Sequence, residues 1–308
     1  MVQLKSCGSR LKVIRMTFKE EWNRRAALVE KGLVTELKAR KAYNETLARA
    51  MEYSLMAGGK RLRPILLMAA ADAVGKNGDD FLVTGCAIEM IHTYSLVHDD
   101  LPAMDNDDYR RGKPTNHTVF GDGMAILAGD ALLTLAFEVM LRQPAAAPET
   151  LLAVVQEMSQ AAGPYGMVGG QALDLESEEK CIDMGTLQKM HMGKTGALFR
   201  AAVRSGAILA GAQNEELAAL TLYAEKFGLA FQITDDILDV TGDETTIGKP
   251  VGSDERNEKA TYVTLTSLDE ARWLAQRTVD EATAALSILG ESAAFLRELG
   301  LFLLGRKK

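Results

Sequence analysis

Cysteine is nearly absent from this 308-residue chain: Cys7, Cys86 and Cys181 are the only three. They lie far apart with no metal-ligand spacing. That excludes a disulfide framework and points to reduced thiols in a cytoplasmic protein. Aromatic residues make up 6% and prolines number seven, while Ala, Leu and Met are plentiful. This balance disfavours sheets and leaves room for long helices. No run of eighteen apolar residues occurs, so no transmembrane helix is expected. Residues 1–15 carry four basic groups but no long apolar stretch, which speaks against a signal peptide. Residues 1–16 read as a disordered extension, and 17–308 as the domain proper. Positive charge is also in short supply. With 35 Lys and Arg against 42 Asp and Glu, the net charge of −7 excludes a general nucleic-acid binder.

What is present is 47% hydrophobic residues, enough for a large core. Apolar positions three and four apart predict helices over 18–40, 43–55, 81–100, 122–141, 149–162, 183–210, 215–240, 261–289 and 291–304, with a further helix opened by Pro64 over 65–74 and another begun in 166–178. No strand alternation, tandem repeat or interdomain linker is visible, so the expected architecture is a single all-α domain. Residues 242–260 form a glycine- and charge-rich stretch long enough to serve as a lid. Lys194-Thr195-Gly196 interrupts a helical pattern, predicting a local break that frees Thr195.

The chemistry concentrates in Asp99–His117, DDLPAMDNDDYRRGKPTNH, which places five aspartates ahead of Arg110, Arg111 and Lys113. Carboxylates this dense repel one another unless a cation joins them. Their oxygen-only set suits Mg²⁺, which takes one or two carboxylates and completes its shell with water and phosphate. The arginine pair suits phosphate oxygens. A solvated charged loop is the alternative. Pro102 disfavours helical geometry at Leu101, so the helix should end near Asp100 and a loop can swing Asp105 back toward Asp99. His92, Ser95 and Asp99 share one stripe of that helix.

A second cluster, FQITDDILDV, puts Gln232, Asp235, Asp236 and Asp239 on one helical stripe. Asp235 and Asp239 stack about 6 Å apart. Divalent metal would neutralise them; an interhelical salt bridge is the alternative. Upstream, Gly58-Gly59-Lys60-Arg61-Leu62-Arg63-Pro64 sets three cations at a helix N-terminus. That end is already positive, so the arrangement makes sense with an anion held by Lys60 and Arg63; a solvated basic turn would also account for it. Two acid clusters on apolar helices imply one cavity, charged at its mouth and apolar in its depth. The matching substrate has a diphosphate head and a hydrocarbon tail.

These motifs resemble the trans-isoprenyl diphosphate synthases. The likeness rests on Gly59–Pro64, Asp99-Asp100 with Asp105, Arg110–Thr115, Gly170-Gln171 with Asp174-Leu175, Lys194–Gly196, Phe231-Gln232 with Asp235-Asp236, and Gly248-Lys249-Pro250 with Gly252 and Lys259, in the family's order and spacing. The four residues between Asp100 and Asp105 look like the bacterial and plastid branch.

The resemblance implies a large helical bundle around a central cavity, two or three Mg²⁺ ions, and a homodimer. By the same likeness, Asp99, Asp100, Asp105, Asp235, Asp236 and Asp239 would serve the metals, with Asp174 reaching them through water. Arg110, Lys194, Thr195, Gln232, Lys249 and Lys259 would hold the allylic diphosphate, and Lys60, Arg63, His92 and Arg111 that of isopentenyl diphosphate. Asp99, Asp105, Arg110, Lys194, Asp235 and Lys249 would carry the catalysis. Tyr94 lies about 7.5 Å of helix before Asp99, and with Ser95 it is the expected chain-length position. A bulky aromatic there resembles farnesyl diphosphate synthases, and a smaller residue geranylgeranyl synthases. A helical terpene cyclase would carry Asn, Ser or Thr and Glu in its second motif. A silent partner subunit would have lost acid motifs.

Overall fold

Apolar residues surround the helix Leu82–Asp99 on every side rather than along one stripe, so a single packing partner could not bury it. It therefore sits at the centre of the fold. The structure is a computed structural model describing residues 16–40, 43–144, 146–178, 180–242 and 260–306. In order the helices are α1 (Phe18–Lys38), α2 (Glu45–Leu55), α3 (Leu62–Ala73), α4 (Leu82–Asp99), α5 (Asn116–Phe120), α6 (Asp122–Met140), α7 (Pro148–Ala162), α8 (Met167–Ser177), α9 (Met184–His191), α10 (Ala197–Ala210), α11 (Asn214–Thr241), α12 (Tyr262–Leu265), α13 (Leu268–Ala285) and α14 (Ala294–Leu304). One π-helical turn, Met192–Gly196, joins α9 to α10. Helix α4 packs against α1, α2, α3 and α6, while α10 packs against α3, α7 and α11. Two large apolar clusters fill the spaces between them.

Local chemistry sets several boundaries. Thr17 and Glu20 form a capping box at the start of α1, and Asn44 caps α2, so that helix begins at Glu45 rather than 43. The fold is all-α as expected, and among the described residues the only strands are Tyr109–Arg110 (β1) and Lys113–Pro114 (β2), paired antiparallel. Arg111 and Gly112 both take positive φ between them, the conformation of a tight hairpin turn. Two-residue strands are too short to show alternation. One expectation needs correction: the predicted helix 261–289 is broken. Thr266 leaves helical geometry, Ser267 caps α13, and a 3₁₀ stretch, Leu286–Ala293, follows it.

Among the described residues, α6 alone is long and apolar enough to cross a membrane by length and composition, a test that a core helix also passes, and it does not contradict the expectation of no transmembrane segment. One side of it is core, but Ile126 and Leu127 lie on the surface.

The buried pair Arg61–Glu89 locks the turn before α3 onto α4. The guanidinium donates to Glu89 at 2.9 Å and to the Leu55 carbonyl at 2.9 Å. Both side chains are essentially without solvent exposure. Replacing Glu89 with Ala strands a buried cation and is expected to cost about 3–5 kcal/mol. A drop in urea midpoint at unchanged slope would register it; an unchanged midpoint would refute it.

Candidate active site

The end of α4 builds the first half of the site. The helix stops at Asp99, and the Asp105 amide donates to the Asp99 carbonyl at 2.9 Å. The loop therefore returns Asp105 to Asp99, as Pro102 predicts. The hairpin then directs Arg110 back to the helix. Its Nε donates to Asp100 at 2.6 Å, and a terminal nitrogen reaches Asp107 at 3.4 Å. Asp100 is buried and acts here as the anchor of Arg110. Asp99 and Asp105 are the members of this cluster that line the cavity.

The second wall is the π-turn. An i→i+5 turn inserts one extra residue into the helix, which is the break expected at Lys194–Gly196. Helix α8 crosses it at Gly170, where a Cβ would lie 2.0 Å from the Lys194 amide nitrogen. That close approach sets Lys194 Nζ 2.6 Å from Asp174 and 3.9 Å from Asp99.

Helix α11 supplies the third wall. Asp235 is exposed toward the cavity and meets Arg306 at 3.2 Å. Asp236 is buried and accepts the Tyr262 amide at 2.7 Å. The second aspartate of each pair is tied to the scaffold, Asp100 to Arg110 and Asp236 to Tyr262, although Asp236 also lines the cavity beside Asp235. Asp239, one turn on, is not part of the lining.

The two acid clusters, more than a hundred residues apart in sequence, face one cavity of about 440 Å³. Arg63, His92, Lys194, Thr195 and Gln232 share that lining. A neighbouring cavity of about 330 Å³ shares Arg63, His92, Asp99, Lys194 and Thr195, then turns apolar toward Tyr94, Met104, Met167 and Leu198. Ser95 lines it as well, its hydroxyl donating to the His92 carbonyl. Arg111 stands behind the head cavity and donates to the Gly58 carbonyl. Gly59, at φ 124°, leaves room for that guanidinium. Lys60 sits in the same turn and is not part of either lining. Lys249 and Lys259 lie outside the described residues, as does nearly all of 242–260.

Burial and charge compete at these groups. Burial first, then the neighbouring Asp105 and Asp100 carboxylates, raise Asp99 to about 6 despite Lys194 nearby. Burial would lower Lys194, but Asp99 and Asp174 outweigh it and its affinity for the proton rises. Burial drives Arg63 down to about 10. Burial and the surrounding arginines hold His92 well below its ordinary value, so it is neutral.

The donor set fits Mg²⁺. It is all carboxylate oxygen, and the acids facing the cavity are met by side-chain cations, Lys194 on Asp99 and Asp174 and Arg306 on Asp235. No three acidic groups among the described residues converge on one point.

Sequence reasoning missed two groups here. Arg306 packs over Phe231 at 4.3 Å and reaches Asp235, but only its basic charge marked it. His191 lines the head cavity with an unpartnered Nδ1, and burial lowers it to about 4. Its place three residues before Lys194 was the one available signal.

The polyprenyl synthetase family model matches residues 44–288. A farnesyl diphosphate synthase from Geobacillus stearothermophilus is 53% identical over 73% of this chain and 77% of its own length. A geranylgeranyl diphosphate synthase from Cyanophora paradoxa is 46% identical over 83% of this chain and 86% of its own. Among solved structures, an FPP/GFPP synthase from Zymomonas mobilis superposes with a TM-score of 0.83 at 38% identity, covering 93% of this chain and 98% of that one.

Proposed function

The chain belongs to the polyprenyl synthetase family, and from that premise we propose a farnesyl diphosphate synthase. It condenses isopentenyl diphosphate with dimethylallyl and then geranyl diphosphate to give (2E,6E)-farnesyl diphosphate. One observation carries the reading: the carboxylate-lined cavity opens into an apolar one with Tyr94 in its wall. Geranylgeranyl diphosphate synthase is the alternative, since a relative of that name is nearly as similar.

Mg²⁺, two or three ions held by Asp99, Asp105 and Asp235 with Asp100, Asp236 and Asp239 behind them, would neutralise the departing diphosphate. Lys194, Thr195, Gln232 and Arg110, with Lys249 and Lys259, bind and orient the allylic diphosphate. Their fixed charges favour the state in which the C–O bond has ionised. Arg63, His92 and Arg111, with Lys60, hold the second diphosphate. A neutral His92 donates there without adding to an already cationic site. The apolar wall keeps water from the allylic cation until the alkene of isopentenyl diphosphate attacks it. The proton released afterwards passes to the departed diphosphate.

The protein is read as cytoplasmic and as a homodimer. The exposed Ile126 and Leu127 on the otherwise apolar α6 suit a second copy better than water. Incubation with isopentenyl and geranyl diphosphates, with and without Mg²⁺, tests the activity; absence of metal-dependent condensation would refute it. Tyr94→Ala should extend the main product by at least one five-carbon unit by chromatography, and an unchanged product would remove Tyr94 as the limit.

A further inference from the structure

Tyr94 does not stand alone in the wall of the tail cavity. One turn on, His98 lines the same cavity, and its ring meets the Tyr94 ring edge-on at 5.6 Å and 90°. His98 is itself seated in α6. Its Nε2 donates to the Ile126 carbonyl at 3.0 Å, so the hydrogen sits on Nε2. The seat exists because residue 129 is glycine. A Cβ there would lie 2.1 Å from His98 Nε2 and 2.3 Å from its Cδ2. Asp130 is 3.9 Å from the same nitrogen. The reacting groups do not require this arrangement, but a rigid stop for a growing chain does.

We propose that His98 is a positioning residue for product length, bracing Tyr94 from its notch at Gly129. The proposal rests on Tyr94 as the limit of the tail cavity. Edge-to-face support of this kind is worth about 0.5–1.5 kcal/mol. Without it the Tyr94 ring has room to swing toward α6, and the hydrocarbon can pass.

The test is the ratio of twenty- to fifteen-carbon product from purified full-length protein, a ratio insensitive to total activity. His98→Ala should raise it by about two- to ten-fold. His98→Gln keeps a donor for the Ile126 carbonyl and should hold the ratio closer to that of the parent. Tyr94→Ala combined with His98→Ala should lengthen product no further than Tyr94→Ala, because one residue acts through the other. An unchanged ratio in His98→Ala alongside lengthening in Tyr94→Ala overturns the brace and leaves the limit standing. Lengthening in His98→Ala but not in Tyr94→Ala overturns both, and additive lengthening in the double variant overturns the brace. If His98→Ala does not fold, His98→Ser, which likewise removes the ring, and its coupling to Tyr94→Ala carry the same decision.

Discussion

Asp99→Asn is expected to lower kcat/KM about a thousand-fold with the fold intact. The change keeps side-chain volume and removes one negative charge beside Lys194 and Asp105, where the diphosphate is proposed to bind. Losing one preorganised electrostatic contact to a reacting group costs about 10²–10³ in rate, and a carboxylate bearing metal stands at the upper end. Asp107→Asn, at the outer side of Arg110, should cost less than about ten-fold. Steady-state kinetics at saturating Mg²⁺ separate the two, and equal effects would count against a special role for Asp99.

The same residue sets a pH dependence. Its ordinary value is 3.8 and its folded value about 6, so the native protein keeps a proton that the unfolded chain gives up. The Asp99 contribution to the metal-free fold therefore improves as pH falls from about 6 toward 4. Mg²⁺ binding needs the carboxylate and weakens over that interval. Thermal melts with and without Mg²⁺ should converge as the pH drops; a constant gap would argue against Asp99 as a ligand.

Gly170→Ala should be nearly as damaging by a different route. Its Cβ would meet the Lys194 amide nitrogen at 2.0 Å and the Gly193 carbonyl carbon at 2.5 Å. Both are backbone, so no rotamer relieves the overlap, and α8 must move off the π-turn. Overpacking costs about 1–3 kcal/mol, and a displacement of about 1 Å in a positioning segment costs roughly 10²-fold in rate. Gly123→Ala, where nothing lies within 4 Å of the new carbon, serves as the control. Full activity in Gly170→Ala would show that the crossing is looser than it looks.

Much of this was legible in the chain itself. Helical periodicity, the stop at Pro102 and the acid stripe at 235–239 are local signals, and the structure keeps them. Joining the two clusters in one cavity followed from their shared chemistry. Contacts made at a distance were less visible. That Asp100 anchors Arg110 while Asp99 faces the cavity depends on a hairpin too short to show alternation. That Asp236 holds Tyr262 depends on a pairing 26 residues apart. Nothing in the sequence around Gly129 signals that His98 lies against it. A glycine reports that something comes close, never what.

The Asp236–Tyr262 bond has one more consequence, in the statistics of chain loops. It closes the segment between α11 and α12 at a point beside Asp235, on the same helix as the acid stripe. The bond thereby holds Ala260 and Thr261, which line the cavity, against α11. Closure entropy grows only as the logarithm of length, about 0.6 kcal/mol for each doubling. A change in the number of residues between Asp236 and Tyr262 therefore costs little thermodynamically. What keeps Ala260 and Thr261 at the cavity is the pin at Asp236 more than the length of chain before them.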